Sequence, residues 1–115
     1  MFNFEKLEVW KKAILFARQV YRVTKPFPTD ERFGLTNQIR RAANSISSNI
    51  AEGSARPPAD FAKFLGYAAG SLYEVVTQAT IARDEGFLPP ADYEQLYRDA
   101  EEISRMLSGL RSSLE

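Results

Sequence analysis

The stretch TDERFGLTNQIRRAANSISSNIAEGSARPP, residues 29–58, carries a complete helix signal from start to end. Thr29 suits the N-cap position, and two acidic residues follow it, where the helix dipole favours negative charge. Apolar residues then recur at steps of three and four, the period of an amphipathic helix: Leu35, Ile39, Ala42, Ile46 and Ile50. Gly53 suits the C′ position that closes a helix. We therefore predict a helix over residues 30–52, roughly 34 Å long.

Three further segments have the same period, and proline or glycine separates them. One is predicted over residues 5–23, because two closely spaced prolines follow it. Another begins near residue 59 and is closed by Gly86, and the last starts after a pair of prolines. Loops of about five or six residues force sequential helices to run antiparallel. We expect one all-α domain over residues 1–115, an antiparallel up-down-up-down four-helix bundle.

The first predicted helix carries two apolar seams. We take one as the core face: Leu7, Trp10, Ile14, Ala17 and Tyr21. The second lies about 110° further around the helix, and its members are Val9, Ala13, Phe16 and Val20. A helix at the corner of a bundle buries one broad face, so the second seam either widens that face or contacts another subunit. The pattern leaves both open, and the second option makes these four residues an oligomer interface.

The composition excludes several classes of chemistry. Cysteine and histidine are both absent, which removes disulfides, thiolate nucleophiles and the usual zinc ligands. Di-metal sites in helical bundles require Glu-x-x-His pairs, and no nucleophile motif or Gly-rich phosphate loop is present. We therefore expect no catalytic residues, no metal, no cofactor and no small-molecule substrate.

The N-terminal stretch MFNFEKLEVWKK mixes charges with apolar residues and lacks the apolar block of a secretory signal. No window approaches the ~20 apolar residues that a membrane span needs. We expect a cytoplasmic protein with no membrane partner.

The net charge is zero, but the charges are unevenly distributed. Residues 1–56 contain ten Lys and Arg against five Asp and Glu, and residues 57–115 contain five against ten. A neutral total can thus conceal a basic surface that binds phosphates. The alternative is solvated surface, or ion pairs between subunits. The candidate nucleic-acid or partner-binding residues are Lys11, Arg18, Arg22, Lys25, Arg40, Arg41 and Arg56.

Small polar residues crowd the interior of the second predicted helix, although such residues favour caps and turns. Hydrogen bonds from Ser45 and Asn49 to facing helices explain this better than a polar site for a ligand or an RNA loop. Glu52 is expected to be a hydrogen-bond partner near the end of that helix. Glycines in the third helix cost helix propensity but allow close approach of a neighbouring backbone. The predicted packing residues are Ser45, Asn49, Glu52, Gly53 and Gly70.

The runs FEKLEVWKKA, FPTDERFGLTNQIRRAANSISSNIAEGSAR and FLGYAAGSLYEVVTQ resemble the four helix bundle protein family, also known as 23S rRNA intervening-sequence proteins. The resemblance extends over residues 4–110. It implies a four-helix monomer that assembles into a ring-like homopentamer. It also implies kinship with the accessory variability determinant of diversity-generating retroelements, which binds a reverse transcriptase and nucleic acid through basic surface. For most members no biochemical activity is established, and the resemblance implies no catalytic role for the matched residues.

Composition and resemblance together predict a non-enzymatic oligomeric accessory protein. Its expected partner is RNA, DNA or a ribonucleoprotein such as a reverse transcriptase, bound through basic surface of the first two helices. The alternative is a homo-oligomeric scaffold without nucleic-acid contact. In the scaffold, the basic half of one subunit forms ion pairs with the acidic half of another.

Overall fold

Four α-helices make up most of the chain, and the computed structural model describes all residues, Met1–Glu115. The helices are α1 (Glu8–Thr24), α2 (Leu35–Ser54), α3 (Pro58–Asp84) and α4 (Pro90–Ser113). Short 3₁₀ turns, Asn3–Lys6 and Thr29–Glu31, precede α1 and α2. The bundle measures 42 × 23 × 22 Å. None of its helices combines the length and apolar character required to cross a membrane.

Consecutive helices pack against each other along the chain, and α4 closes the bundle against α1. Between α2 and α3, Ser45 contacts Ser71 whereas Gly53, further along α2, contacts the earlier residue Phe64. The contact therefore moves back along α3 as it moves forward along α2, so these helices run antiparallel. Contacts between α1 and α2, and between α3 and α4, reverse in the same way. The predicted all-α four-helix bundle is confirmed.

Proline and glycine delimit the last two helices as predicted. Pro58 and Pro90 occupy the first positions of α3 and α4, where a missing N–H costs nothing. Gly86 has a φ of 80°, a left-handed conformation that glycine adopts without strain, in the turn between them.

The start of α2 differs from the prediction. Thr29 opens a 3₁₀ turn rather than the α-helix, which begins at Leu35. The Glu31 carboxylate accepts the Leu35 N–H at 3.2 Å, so Glu31 and not Thr29 satisfies a donor at the helix start. Gly53 is also placed differently, because it lies inside α2, one residue before the helix ends.

The prediction that the second apolar seam of α1 is an oligomer interface is wrong. Its residues Val9, Ala13, Phe16 and Val20 are all at most 4 % exposed and lie in the core of the monomer. The seam faces the bundle axis because α1 is flanked by α2 on one side and α4 on the other. Of the seam predicted as the core face, Ala17 is buried in the core, whereas Leu7, Trp10 and Ile14 are half-buried at its rim and Tyr21 is exposed.

The core is continuous along the bundle and draws on every helix. Its largest fully buried side chains include Phe16, Ile39, Ile46, Ile50, Leu65, Leu72, Leu88 and Ile103. The second seam therefore widens the apolar face that α1 turns to the core, which was one of the two alternatives that the sequence left open.

Candidate nucleic-acid interface

Four cationic side chains form one exposed stripe along α1, the α1 basic stripe: Lys11, Arg18, Arg22 and Lys25. Steps of seven, four and three residues keep them on one side of the helix over roughly 21 Å. Residues 9–29 contain no Asp or Glu. Only Lys11 has an ion-pair partner, Glu8, at 3.3 Å. The other three cations form no salt bridge and face solvent.

Lys12 marks the edge of this surface towards α4. Its Nζ lies 2.9 Å from Glu102 Oε1. The hydrogen bond to Glu102 and the negative charge of that carboxylate raise the pKa of Lys12 above its ordinary value. Lys12 therefore connects two helices and is not part of the α1 basic stripe.

Arg40 packs onto α1 instead of projecting into solvent. Its Nε donates to Thr24 Oγ1 at 2.9 Å, and its Nη2 donates to the Tyr21 carbonyl at 3.4 Å. The guanidinium also lies 4.8 Å from the centre of the Tyr21 ring, within cation–π range. Arg40 consequently stabilises the α1–α2 contact and has little freedom to follow a nucleic-acid backbone.

Arg41 and Arg56 lie away from the stripe. Arg41 is exposed and lines an open cleft between α2 and α3 together with Ser45, Ser71 and Glu74. Arg56 lies 3.5 Å from Glu52 Oε1, and its guanidinium is 5.1 Å from the centre of the Phe64 ring. Of the seven basic residues selected from the sequence, the structure brings four together along α1, the last of them, Lys25, at its C-cap.

Of the three polar residues of α2 predicted to serve packing, Ser45, Asn49 and Glu52, one forms a hydrogen bond with a facing helix. Ser71 on α3 donates to Ser45 Oγ at 3.0 Å, which is the predicted hydrogen bond to a facing helix. Asn49 does not reach a facing helix, because its Nδ2 donates to the carbonyl and hydroxyl of Ser45, at 2.8 and 3.0 Å. Glu52 is engaged in the pair with Arg56 near the end of α2.

The two glycines predicted to serve packing differ sharply. A Cβ built on Gly53 would lie 2.5 Å from Phe64 Cβ and 3.0 Å from Phe61 Cδ1, so only glycine lets α2 approach α3 here. A Cβ on Gly70 would meet nothing within 4 Å. The packing prediction for Gly70 is therefore wrong within the monomer, since this glycine is on the exposed side of α3.

Exposed aromatic and aliphatic side chains cover the outer side of α3 and α4, here called the α3–α4 aromatic face: Tyr67, Tyr73, Ile81 and Tyr97. An open groove of about 280 Å³ runs between the two helices, and Tyr73 and Tyr97 line it. Large apolar side chains clustered at the surface are typical of interaction sites.

Sequence reasoning missed Arg32 and Thr36, which line a cavity with Lys25 and Arg40 at the loop between α1 and α2. Neither residue belongs to a recognisable motif. They lie near Arg40 because the 3₁₀ turn folds against both helices. The spacing of apolar residues does not predict how that turn folds.

The chain matches the family model of the 23S rRNA-intervening sequence protein over residues 5–109. No curated protein sequence matches it. Its fold is similar to a crystal structure from Bacteroides thetaiotaomicron VPI-5482, a protein with unknown function from the S23 ribosomal protein family. That similarity has a TM-score of 0.82 at 24 % sequence identity and covers 90 % of this chain and 95 % of the other. Because the family model spans nearly the whole bundle, the chain belongs to the 23S rRNA-intervening sequence protein family.

Proposed function

We propose that the protein is a non-enzymatic accessory factor that binds nucleic acid through the α1 basic stripe. The observation that supports this is the run of three unpaired exposed cations, Arg18, Arg22 and Lys25, in a segment without carboxylates. Arg18 and Arg22 are one helical turn apart, so both guanidinium groups can contact one phosphate backbone. Arginine suits this role because its planar fork offers paired donors to phosphate oxygens.

The zero net charge of the chain does not oppose this binding. The acidic residues of α3, which does not contact α1, lie across a bundle that is 22–23 Å wide. On the neighbouring helix α4, Glu102 is paired with Lys12. The Debye length is about 10 Å at 0.1 M salt, so charges on the far side of the bundle are largely screened from the stripe. A phosphate backbone at α1 therefore experiences the local positive charge.

The double substitution Arg18→Gln/Arg22→Gln is expected to weaken RNA and DNA binding by about tenfold at low salt, because two phosphate contacts are lost. Both side chains are exposed, so the fold should be unaffected. The measurement is fluorescence anisotropy with a short RNA hairpin and a DNA duplex at one fixed ionic strength.

Arg98→Gln/Arg105→Gln is the matched control, because it also removes two exposed cations, in this case from α4. It should change the affinity less than twofold. If both double variants lose affinity equally, binding depends only on net charge, and the α1 basic stripe is not the binding surface.

A homo-oligomeric scaffold is the second candidate, and the α3–α4 aromatic face favours it. We propose that this face contacts another copy of the chain, in a pentameric ring like the one the family resemblance implies. Gly66 and Gly70 lie on the same side of α3 and have no neighbouring backbone in the monomer. Glycine costs about 1 kcal/mol relative to alanine inside a helix, a cost that close approach of a second chain offsets. Assembly would also repeat the α1 basic stripe and increase affinity through avidity.

Tyr73→Glu is expected to dissociate such an oligomer, because it places a charge in the middle of the proposed interface, where Tyr73 is 60 % exposed in the monomer. Sedimentation velocity of wild type and variant tests this. Phe33→Glu is the control, since Phe33 is also an exposed aromatic residue but lies outside α3 and α4. A monomeric wild type at micromolar concentration would rule out the scaffold.

A further inference from the structure

A cavity of about 160 Å³ lies where the loop between α1 and α2 folds against both helices. Its polar lining consists of Thr24, Lys25, Thr29, Arg32, Thr36 and Arg40. Three of these residues are cationic and none of the lining residues is a carboxylate. Three positive charges around so small a volume favour an anion, and a doubly charged anion more than a singly charged one.

Arg40 is held in a fixed orientation beside the cavity. Thr24 is almost completely buried, and its hydroxyl donates to the Val20 carbonyl at 2.7 Å while accepting the Arg40 Nε–H at 2.9 Å. With Nε and Nη2 directed at Thr24 and Tyr21, the Nη1 of Arg40 has no acceptor in the chain. A guanidinium that is already positioned binds an anion without losing further side-chain entropy.

Thr36 supplies an independent indication of a ligand. It is 7 % exposed, it lines the cavity, and its buried Oγ1 has no hydrogen-bond partner. Buried hydroxyls are usually hydrogen-bonded, so this donor lacks an acceptor. Thr36 is also the second residue of the 20-residue helix α2, whose N-terminus carries partial positive charge. The Glu31 carboxylate binds the Leu35 N–H of the same helix start but is not part of the cavity lining.

We propose that this cavity binds a phosphate group, either inorganic phosphate or the terminal phosphate of a nucleic-acid strand. Guanidinium, ammonium and hydroxyl donors together match the oxygens of a tetrahedral dianion. Binding of inorganic phosphate does not rest on the proposed function, whereas binding of the terminal phosphate of a strand does. In that case the cavity receives the strand end while the α1 basic stripe, which includes Lys25, contacts the backbone leading to it.

The test is isothermal titration calorimetry of the full chain with inorganic phosphate, against chloride at matched ionic strength. Wild type should show saturable phosphate binding. Thr36→Val removes one hydroxyl with little change of shape, and Arg32→Gln removes one exposed cation of the lining. Each is expected to weaken phosphate binding by about tenfold or more, since each removes a donor to a charged ligand. Arg105→Gln, which removes one exposed cation of α4 outside the lining, is the matched control and should change it less than twofold.

A second titration uses one oligonucleotide with and without a 5′-phosphate and identifies the source. If the phosphorylated strand binds more tightly and Thr36→Val abolishes the difference, the ligand is the end of a strand. If inorganic phosphate binds saturably and the two strands bind equally, the ligand is the free ion. The proposal is overturned if wild type does not distinguish phosphate from chloride, or if Thr36→Val binds phosphate as wild type does. Phosphate binding without any oligonucleotide binding would contradict the proposed function and leave the cavity intact.

Discussion

Phe16→Ala is expected to lower the free energy of unfolding by about 3–5 kcal/mol. Phe16 is 2 % exposed and lies among the apolar side chains of the core, so its removal leaves a cavity that the surrounding helices fill only in part. Urea denaturation followed by circular dichroism measures the change. A loss of this size is a substantial part of the 5–15 kcal/mol that typically stabilises a domain.

Leu15→Ala is the matched control, because Leu15 is the neighbouring residue and is exposed. It should change stability by no more than about 0.5 kcal/mol. The pair also tests the placement of the Phe16 seam in the monomer core. If Phe16→Ala lowers the free energy of unfolding by less than 1 kcal/mol and dissociates an oligomer, the seam lies at a subunit interface and not in the monomer core.

Gly53→Ala is expected to destabilise the bundle by about 2 kcal/mol, although alanine is the better helix former. The added Cβ would lie 2.5 Å from Phe64 Cβ, an atom attached directly to the backbone of α3, so α2 and α3 must move apart. Overpacking of this kind typically costs about 1–3 kcal/mol, which exceeds the ~1 kcal/mol gained in helix propensity. Thermal and urea unfolding provide the measurement.

Gly70→Ala is the control with the opposite sign. A Cβ there meets nothing within 4 Å, so the monomer should gain about 0.5–1 kcal/mol from helix propensity alone. Stabilisation by both alanine variants would show that α2 and α3 are not in close contact at Gly53.

The periodicity of the sequence was sufficient to predict the fold. It identified four helices, and the prolines and Gly86 placed both boundaries of α3 and the start of α4 to within a residue or two. The start of α2 was missed because acidic residues after a threonine are equally compatible with a 3₁₀ turn. The Glu31 side chain, whose bond to Leu35 caps the helix, could be identified only from the folded loop.

The faces of α1 were harder to assign than its span. Two seams with identical spacing cannot be ranked from one helix alone, because the neighbours that cover each seam lie elsewhere in the chain. Phe16 proved central and Tyr21 peripheral once α2 and α4 were in place.

The candidate site was predictable in part for a similar reason. The stripe containing Arg18 and Arg22 follows from helical spacing, since both residues lie on one helix. The contact of Arg40 with Thr24, 16 residues away, depends on how two helices meet. The unpartnered hydroxyl of Thr36 likewise exists only in the folded chain.

The salt dependence of RNA and DNA binding by the wild-type protein tests the central claim most directly. Binding through phosphate contacts releases counterions, so the logarithm of the affinity should fall linearly with the logarithm of salt concentration, with a slope of about −0.9 per duplex phosphate contacted. We expect a slope steeper than about −2 for wild type and a slope shallower by about two in Arg18→Gln/Arg22→Gln. No binding at low salt, or binding that is independent of salt, would contradict the proposed nucleic-acid function.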